Sequence, residues 1–232
     1  MTRKIVVFFF TIIFSSLVSA DILVTPTIVN FIPGDLPRQD VIVINQGQHT
    51  AYVNVVPHVV LNPGTKSEER VVIHDPEQSG ILVAPSKLII PPKQNAMVRI
   101  MQTVQDIQQD KIYRISFIPV PHQLLPDHET SAEPKAGVRI VFGYGALVMM
   151  RPKDMHYKLI AKRDGTLLDI KNTGNTNVLI TAGEQCVDAK HCFQLNPHRM
   201  YAGNDWQVKL KYALPVKLST ENMQHVEHIE SN

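Results

Sequence analysis

The chain has 232 residues, 23 of them lysine or arginine and 21 aspartate or glutamate, for a net charge of +2 at pH 7. So even a balance gives no electrostatic case for a nucleic-acid or acidic-polymer partner. Aromatic residues make up 6% of the chain and Trp206 is its one tryptophan, which argues against the aromatic platforms of a carbohydrate-binding module or a β-sandwich hydrolase.

Residues 1–20 open with Arg3 and Lys4, run apolar from Ile5 to Phe14, and end on Val18-Ser19-Ala20. The apolar run is too short for a membrane anchor and is followed at once by small residues, so 1–20 reads as a cleavable signal peptide with the mature chain starting at Asp21. The remainder contains no apolar stretch long enough to span a bilayer, and the mature chain is expected to insert in no membrane. Its length exceeds what one core usually serves and suits two modest domains.

From Ile22 onward nearly every recognisable segment reads as strand. Val41 to Ile44, Tyr52 to Val56, Val71 to Ile73, Ala96 to Met101 and Tyr113 to Ile118 are short and rich in β-branched residues, with Gly, Pro, Asn or Asp between them. Helical periodicity is weak, and strands at this spacing argue for immunoglobulin-type sandwiches. Asn45-Gln46-Gly47 and Asn172-Thr173-Gly174 each sit between two apolar runs. They form a weak internal repeat of strand, Asn-x-Gly turn and strand, and Asn and Gly suit such turns because both tolerate left-handed backbone angles. Two successive sandwiches are the simplest account.

Between Pro119 and Gly137 the chain is polar and proline-bearing, far longer than a hairpin needs, and loops of that length are usually functional or disordered. Directly after it come Val138, Ile140 and Phe142, alternate residues that share one face of a strand. They are either core or a strand offered to a partner. Arg151-Pro152 follows, and a proline there suits a stiff elbow between domains. The expected organisation is 1–20 signal peptide, 21–151 first domain, 152–218 second domain and 219–232 a polar tail. Cys186 and Cys192 lie close together, with Val187 to His191 between them; in an oxidising compartment a local disulfide is favoured over a metal pair, which would need two more close ligands. His156, His191, His198, His225 and His228 lack carboxylate or cysteine partners at ligand spacing and read as surface residues, so no metal and no cofactor is expected. No Gly-x-Ser-x-Gly elbow, His-Glu-x-x-His pair or phosphate-binding glycine loop occurs, and the chain does not read as an enzyme.

Several of these segments carry a resemblance. Leu61-Asn62-Pro63-Gly64-Thr65-Lys66-Ser67-Glu68-Glu69, then Gly80 to Pro92 with its Pro-x-Lys-x-x-Ile-x-Pro pattern, then Val98-Arg99-Ile100 and Tyr113 to Phe117 resemble the periplasmic fimbrial chaperones of the PapD-like superfamily. The likeness is greatest to the alternate class that serves colonisation-factor pili. It implies an all-β fold of two immunoglobulin-like sandwiches set at an angle, with a cleft between them. It also implies a periplasmic protein that caps pilus subunits by lending them a strand and delivers them to an outer-membrane usher. Anchored on Arg151-Pro152, the lent residues fall on Val138, Ile140 and Phe142, with the alternates Arg139, Val141 and Gly143 turning toward the chaperone's own domain.

The best-known members hold the subunit's C-terminal carboxylate with an arginine and a lysine. The matching positions here are Ile28 and Leu147, neither of which can pair with a carboxylate. A guanidinium is the favoured substitute because it binds a carboxylate through two hydrogen bonds. The candidates are Arg139, Arg114, Arg99 and Arg151, the last also resembling an elbow residue in an interdomain salt bridge. Members of the alternate class carry a close cysteine pair in the second domain, as here. An exposed strand edge invites self-pairing, which leaves a homodimer of the free protein open. The competing reading is an immunoglobulin-like structural or adhesive component of the fibre. A pilin of that kind would be one incomplete sandwich with a donor segment near its N-terminus.

Overall fold

The computed structural model describes residues 22–120, 143–188 and 190–222, together with the backbone of 225–231. The expected signal peptide lies outside the described residues, as do Val138, Arg139, Ile140 and Phe142.

The first sandwich is built from β1 (Ile22–Thr25), β2 (Ile28–Phe31), β3 (Arg38–Asn45), β4 (Ala51–Leu61), β5 (Glu69–Val72), a one-turn helix α1 (Pro76–Ser79), β6 (Ile81–Ala84), β7 (Lys87–Ile90), β8 (Asn95–Gln102), β9 (Lys111–Val120) and β10 (Tyr144–Met150). One sheet runs β1-β3-β8-β6; the other runs β2-β10-β9-β4-β5, with β7 also against β4. Alternation decides what faces inward: Val41, Val43, Val98 and Ile100 from one sheet meet Ile115, Phe117, Ala146 and Val148 from the other, all fully buried. β9 runs through Pro119 and Val120, which pair with Val53 and Tyr52, so the long connection starts later than expected. Among the described residues β10 pairs with β9 only as far as Phe117, so no described strand requires a donor from Pro119 on that side.

The second sandwich comprises β11 (Leu159–Asp164), β12 (Leu167–Asn172), β13 (Val178–Asp188), β14 (His191–Leu195), β15 (His198–Met200), β16 (Asp205–Lys209), β17 (Val216–Asn222) and β18 (His225–Ser231). Its sheets are β11-β12-β16 and β14-β13-β17-β18, with β15 also on β13. Leu168, Ile170, Ile180, Met200 and Leu218 fill the space between them. The segment from Ser219 is therefore not the expected polar tail. β17 continues to Asn222, with Thr220 buried, and β18 returns antiparallel from His225 opposite Asn222 to Ser231 opposite Val216. Strand pairing is a backbone property, and the long edge of β13 supplies partners however polar the side chains are.

The internal repeat is real at atomic level, for a different reason than backbone permissiveness. Asn45 Oδ1 accepts from Gly47 N at 2.9 Å while its Nδ2 donates to His49 O at 2.7 Å and Ile90 O at 2.8 Å. Asn172 repeats the pattern, accepting from Gly174 N at 2.9 Å and donating to Thr176 O at 2.9 Å and Met200 O at 3.0 Å. Neither glycine has a positive φ. A buried amide ties the turn to a distant strand, and at Gly174 a Cβ would strike the His156 carbonyl.

Arg151 follows β10 and is buried. Its Nη1 lies 3.5 Å from Asp110 Oδ2, donates to Thr176 Oγ1 at 2.7 Å and to the Asn177 carbonyl at 3.2 Å, and Nη2 reaches Asn30 Oδ1 at 3.5 Å. Asp110 Oδ2 also accepts from Asn177 N at 2.7 Å and from Asn177 Nδ2. Asp110 N donates to Asn175 O at 3.0 Å, and Asn175 Nδ2 donates back to Gln108 O at 3.0 Å. Removing one partner of a buried ion pair strands the other charge, so Arg151→Ala should cost about 3 to 5 kcal/mol in urea unfolding. Asp110→Asn/Arg151→Met should recover part of that loss.

Of the histidines read as surface residues, His198 is half-buried and stacks on Trp206, with ring centroids 4.3 Å apart at 15°. Burial holds its pKa below 6.5. The unfolded chain then binds the extra proton first, so this contribution to stability is complete above pH 6.5 and is lost as pH falls through the lower folded pKa. Trp206 fluorescence should change with a midpoint below pH 6.5, and His198→Gln should abolish the change.

Candidate functional site

The two sandwiches meet beside the elbow at a small apolar contact. Val60, Ile112 and Met149 are buried there, with Leu147 and, from the second sandwich, Tyr201 packed against them. A second contact is made by the turn after β4. Asn204 Nδ2 donates to Pro63 O at 2.9 Å, and Gly64, at φ +73°, lies so close to Tyr201 and Asn204 that a Cβ would meet them at 2.9 and 3.0 Å. The Asn62-Pro63-Gly64 motif thus serves close approach between domains as well as a turn.

β10 forms the wall of the cleft. Ala146, Val148 and Met150 enter the first core and Tyr144 packs against it, whereas Leu147 and Met149 belong to the opposite face. Within β10 the odd-numbered Leu147 and Met149 face the interdomain contact rather than the first core; Arg139 and Val141 lie outside the described residues. On its outer side β10 pairs in parallel with β2 over Leu147–Met150, and Leu147 N donates to Thr27 O at 2.8 Å. Among the described residues nothing pairs with β10 on that side ahead of Leu147. Backbone groups alternate sides along a strand, so those of Gly145 face this open edge.

Ile28 and Leu147, the positions that match the usual basic pair, are direct cross-strand partners, so an apolar pair stands there. On the other side Leu147 pairs with Arg114 of β9, which in turn pairs with His58 of β4. The Arg114 side chain lies over Gly145, where any Cβ would collide with its guanidinium. Among the described residues this guanidinium has no hydrogen bond or ion pair. The nearby carboxylate of Glu68 is already occupied by Gly64 N at 2.9 Å and Arg70 Nη2 at 3.2 Å; those contacts and the field of Arg114 hold its pKa below 4.5.

The other candidate arginines fall elsewhere. Arg99 points away from the core on the opposite sheet and makes a two-pronged pair with Asp40 at 2.8 and 3.0 Å. Arg151 is committed to the elbow. Arg139 lies outside the described residues. Sequence reasoning missed Arg199 of β15 and Tyr201, whose approach to the first sandwich depends on the interdomain packing; the adjacency of Arg199, Met200 and Tyr201 carried no signal by itself.

Cys186 and Cys192 are joined in a disulfide directly across the β13–β14 ladder. Glu184 lies beside them, but both sulfurs are consumed by the bond, which removes the thiolates a metal would need. Closing so short a loop should contribute about 2 kcal/mol, and Cys186→Ser/Cys192→Ser should lower the unfolding free energy by that amount without altering the first sandwich.

The two-sandwich fold recurs in solved structures of fimbrial chaperones. Solved structures share it across the chain. A chain of "Chaperone-tip adhesin complex is vital for synergistic activation of CFA/I fimbriae biogenesis" superposes with a TM-score of 0.67 at 19% identity, covering 91% of this chain and 99% of that one. The class 5 fimbriae chaperone CfaA gives 0.67 at 18% identity over 90% and 97%. The complex of Salmonella enterica SafA pilin with the SafB chaperone gives 0.58 at 14% identity over 91% and 96%. In sequence the chain is 32% identical over 140 residues to an Escherichia coli protein whose name makes it a CS1 fimbrial subunit. That match spans 59% of this chain and 57% of the relative. No family model matches the chain.

Proposed function

We propose that this protein is a periplasmic, non-catalytic chaperone that caps fimbrial subunits by donor-strand complementation and hands them to an outer-membrane usher. The observation that carries the reading is the edge of β10 at Gly145, open among the described residues and shortly after Val138, Ile140 and Phe142 in sequence. These three residues share the parity of Tyr144, Ala146 and Val148. A strand continued without a bulge would therefore carry the core-facing row past its own sandwich and into the groove of an incomplete one. Backbone hydrogen bonds along the edge would supply affinity, and each large side chain buried would contribute about 1.5 to 3 kcal/mol before the cost of ordering the segment. Arg114, which has no ion pair among the described residues, supplies a cation within the same cleft, suited to the terminal carboxylate of the captured chain. The Cys186–Cys192 disulfide accords with an oxidising compartment.

The second reading, an immunoglobulin-like component that stays in the fibre, draws on the name of the E. coli relative. Against it, β10 closes the first sandwich between β2 and β9 and leaves its core residues buried, so among the described residues that sandwich lacks no strand. Coexpression with fimbrial subunits should yield a soluble one-to-one periplasmic complex with one of them. Ile140→Glu/Phe142→Glu should abolish that complex while circular dichroism and the unfolding midpoint stay unchanged. Capture undiminished in the double variant, or recovery of the protein in purified fibres, would reverse the conclusion.

A further inference from the structure

We propose that the tip of the β13–β14 hairpin, once its disulfide is reduced, binds one zinc-class divalent cation through the Cys186 and Cys192 thiolates and the Glu184 carboxylate. The site lies at the end of β13 opposite Val178, which follows Asn177 of the elbow network. It is independent of the cleft and of the chaperone reading.

Strand register puts the ligands together. Glu184 pairs with Gln194 and Cys186 with Cys192, two cross-strand pairs separated by one position. Side chains two residues apart on a strand share a face, so all four project from the same side of the hairpin. One ligand atom each from Glu184, Cys186 and Cys192 lies within 4.8 Å of the other two. Gln194 Nε2 donates to Glu184 Oε1 at 2.8 Å, which orients the carboxylate and leaves Oε2 without a hydrogen bond among the described residues. Lys217 stands across from Glu184 on β17, yet the two form no ion pair among the described residues. His191 is already taken: its Nδ1 lies 2.8 Å from Asp188, whose Oδ1 also accepts from Lys190 N and His191 N.

While the disulfide is closed the pair offers no thiolate. Both cysteines are exposed, so a dithiol reductant, the one co-reactant the step needs, can reach them. A thiolate of the donor attacks one sulfur and the Cys186–Cys192 bond breaks; the donor's second thiol then resolves the mixed disulfide. Two electrons pass, leaving two thiols on this chain and a disulfide on the donor. The cation displaces a proton from each thiol as it binds. With the Cα atoms of the pair 4.0 Å apart, the sulfurs can part around an ion by side-chain rotation alone. Two thiolates and one carboxylate suit the borderline softness and tetrahedral preference of zinc, with water in the fourth position, whereas calcium and magnesium demand oxygen ligands throughout. The ion would join the strands where the disulfide did, so the hairpin would stay cross-linked in both redox states.

The test uses the full chain, reduced with a phosphine, stripped of metal and titrated under anaerobic conditions with cobalt(II) and then zinc. Reduced wild type should take up one equivalent, gain a sulfur-to-cobalt charge-transfer absorption and lose it as zinc displaces cobalt. Oxidised wild type and Cys186→Ser/Cys192→Ser should show no such band. Glu184→Gln should bind roughly tenfold more weakly or worse, while its disulfide closes as readily as in wild type. Cys186 and Cys192 are the chain's two cysteines, so alkylation reads this site alone, and zinc should slow it. Absence of the band in reduced wild type would overturn the proposal. Zinc uptake as tight in the double-serine variant would place the metal on histidines and overturn it too. Undiminished affinity in Glu184→Gln would remove the carboxylate and with it the three-ligand assignment. If reduction unfolds the second sandwich and zinc does not restore its circular dichroism, the proposal likewise fails.

Discussion

The buried pair of Arg151 and Asp110 is the constraint on which the cleft depends. Two charges withdrawn from water must be met by hydrogen bonds, and here Thr176, Asn177 and Asn30 serve Arg151 Nη1 and Nη2 and Asp110 Oδ2, while Asp110 Oδ1 and Arg151 Nε are buried without a partner among the described residues. The partners come from both sandwiches, so the network is satisfied in one relative orientation. A greasy elbow would have tolerated a range of angles. The apolar contact of Met149, Ile112 and Val60 with Tyr201 and the Asn204–Pro63 bond then act on surfaces already held in place.

β10 joins that elbow to the open edge. Within seven residues it contributes to the first core, pairs with β2 and β9, and packs against the second sandwich. Such a strand is held on both faces near Met150 and on one edge fewer near Tyr144. Rigidity therefore falls along the strand toward the point where a partner would be received. A strand lent as proposed would have its register set before the partner arrives, which would lower the ordering cost of association.

The strands and their alternation were legible because a period of two is a local property, and so was the Asn-x-Gly repeat, although its cause was misread. Buried asparagine amides, not permissive backbone angles, are what the two turns share. The cysteine pair was legible from spacing and compartment. β18 was not, because its pairing draws on the free edge of β17 rather than on an apolar pattern of its own. Among the arginines, sequence supplied four equal candidates, and only tertiary placement separates Arg99, paired with Asp40, and Arg151, buried at the elbow, from Arg114, which has no partner among the described residues. Tyr201 was invisible for the same reason: its place against Val60, Ile112 and Met149 depends on how the two sandwiches meet.

The apolar pair at Ile28 and Leu147 follows from these neighbours. Leu147 stands across from Arg114 on one side and packs with Met149 and Tyr201 on its own face. A lysine there would lose that packing and bring an ammonium beside a guanidinium that has no anion among the described residues, a like-charge cross-strand pair that destabilises the sheet. With the cation on β9 and Gly145 opening space for it, β10 can stay apolar where it must be buried. Arginine at 114, glycine at 145 and leucine at 147 thus fit one another: the guanidinium lies over the glycine, and the leucine is left to pack at the contact with the second domain.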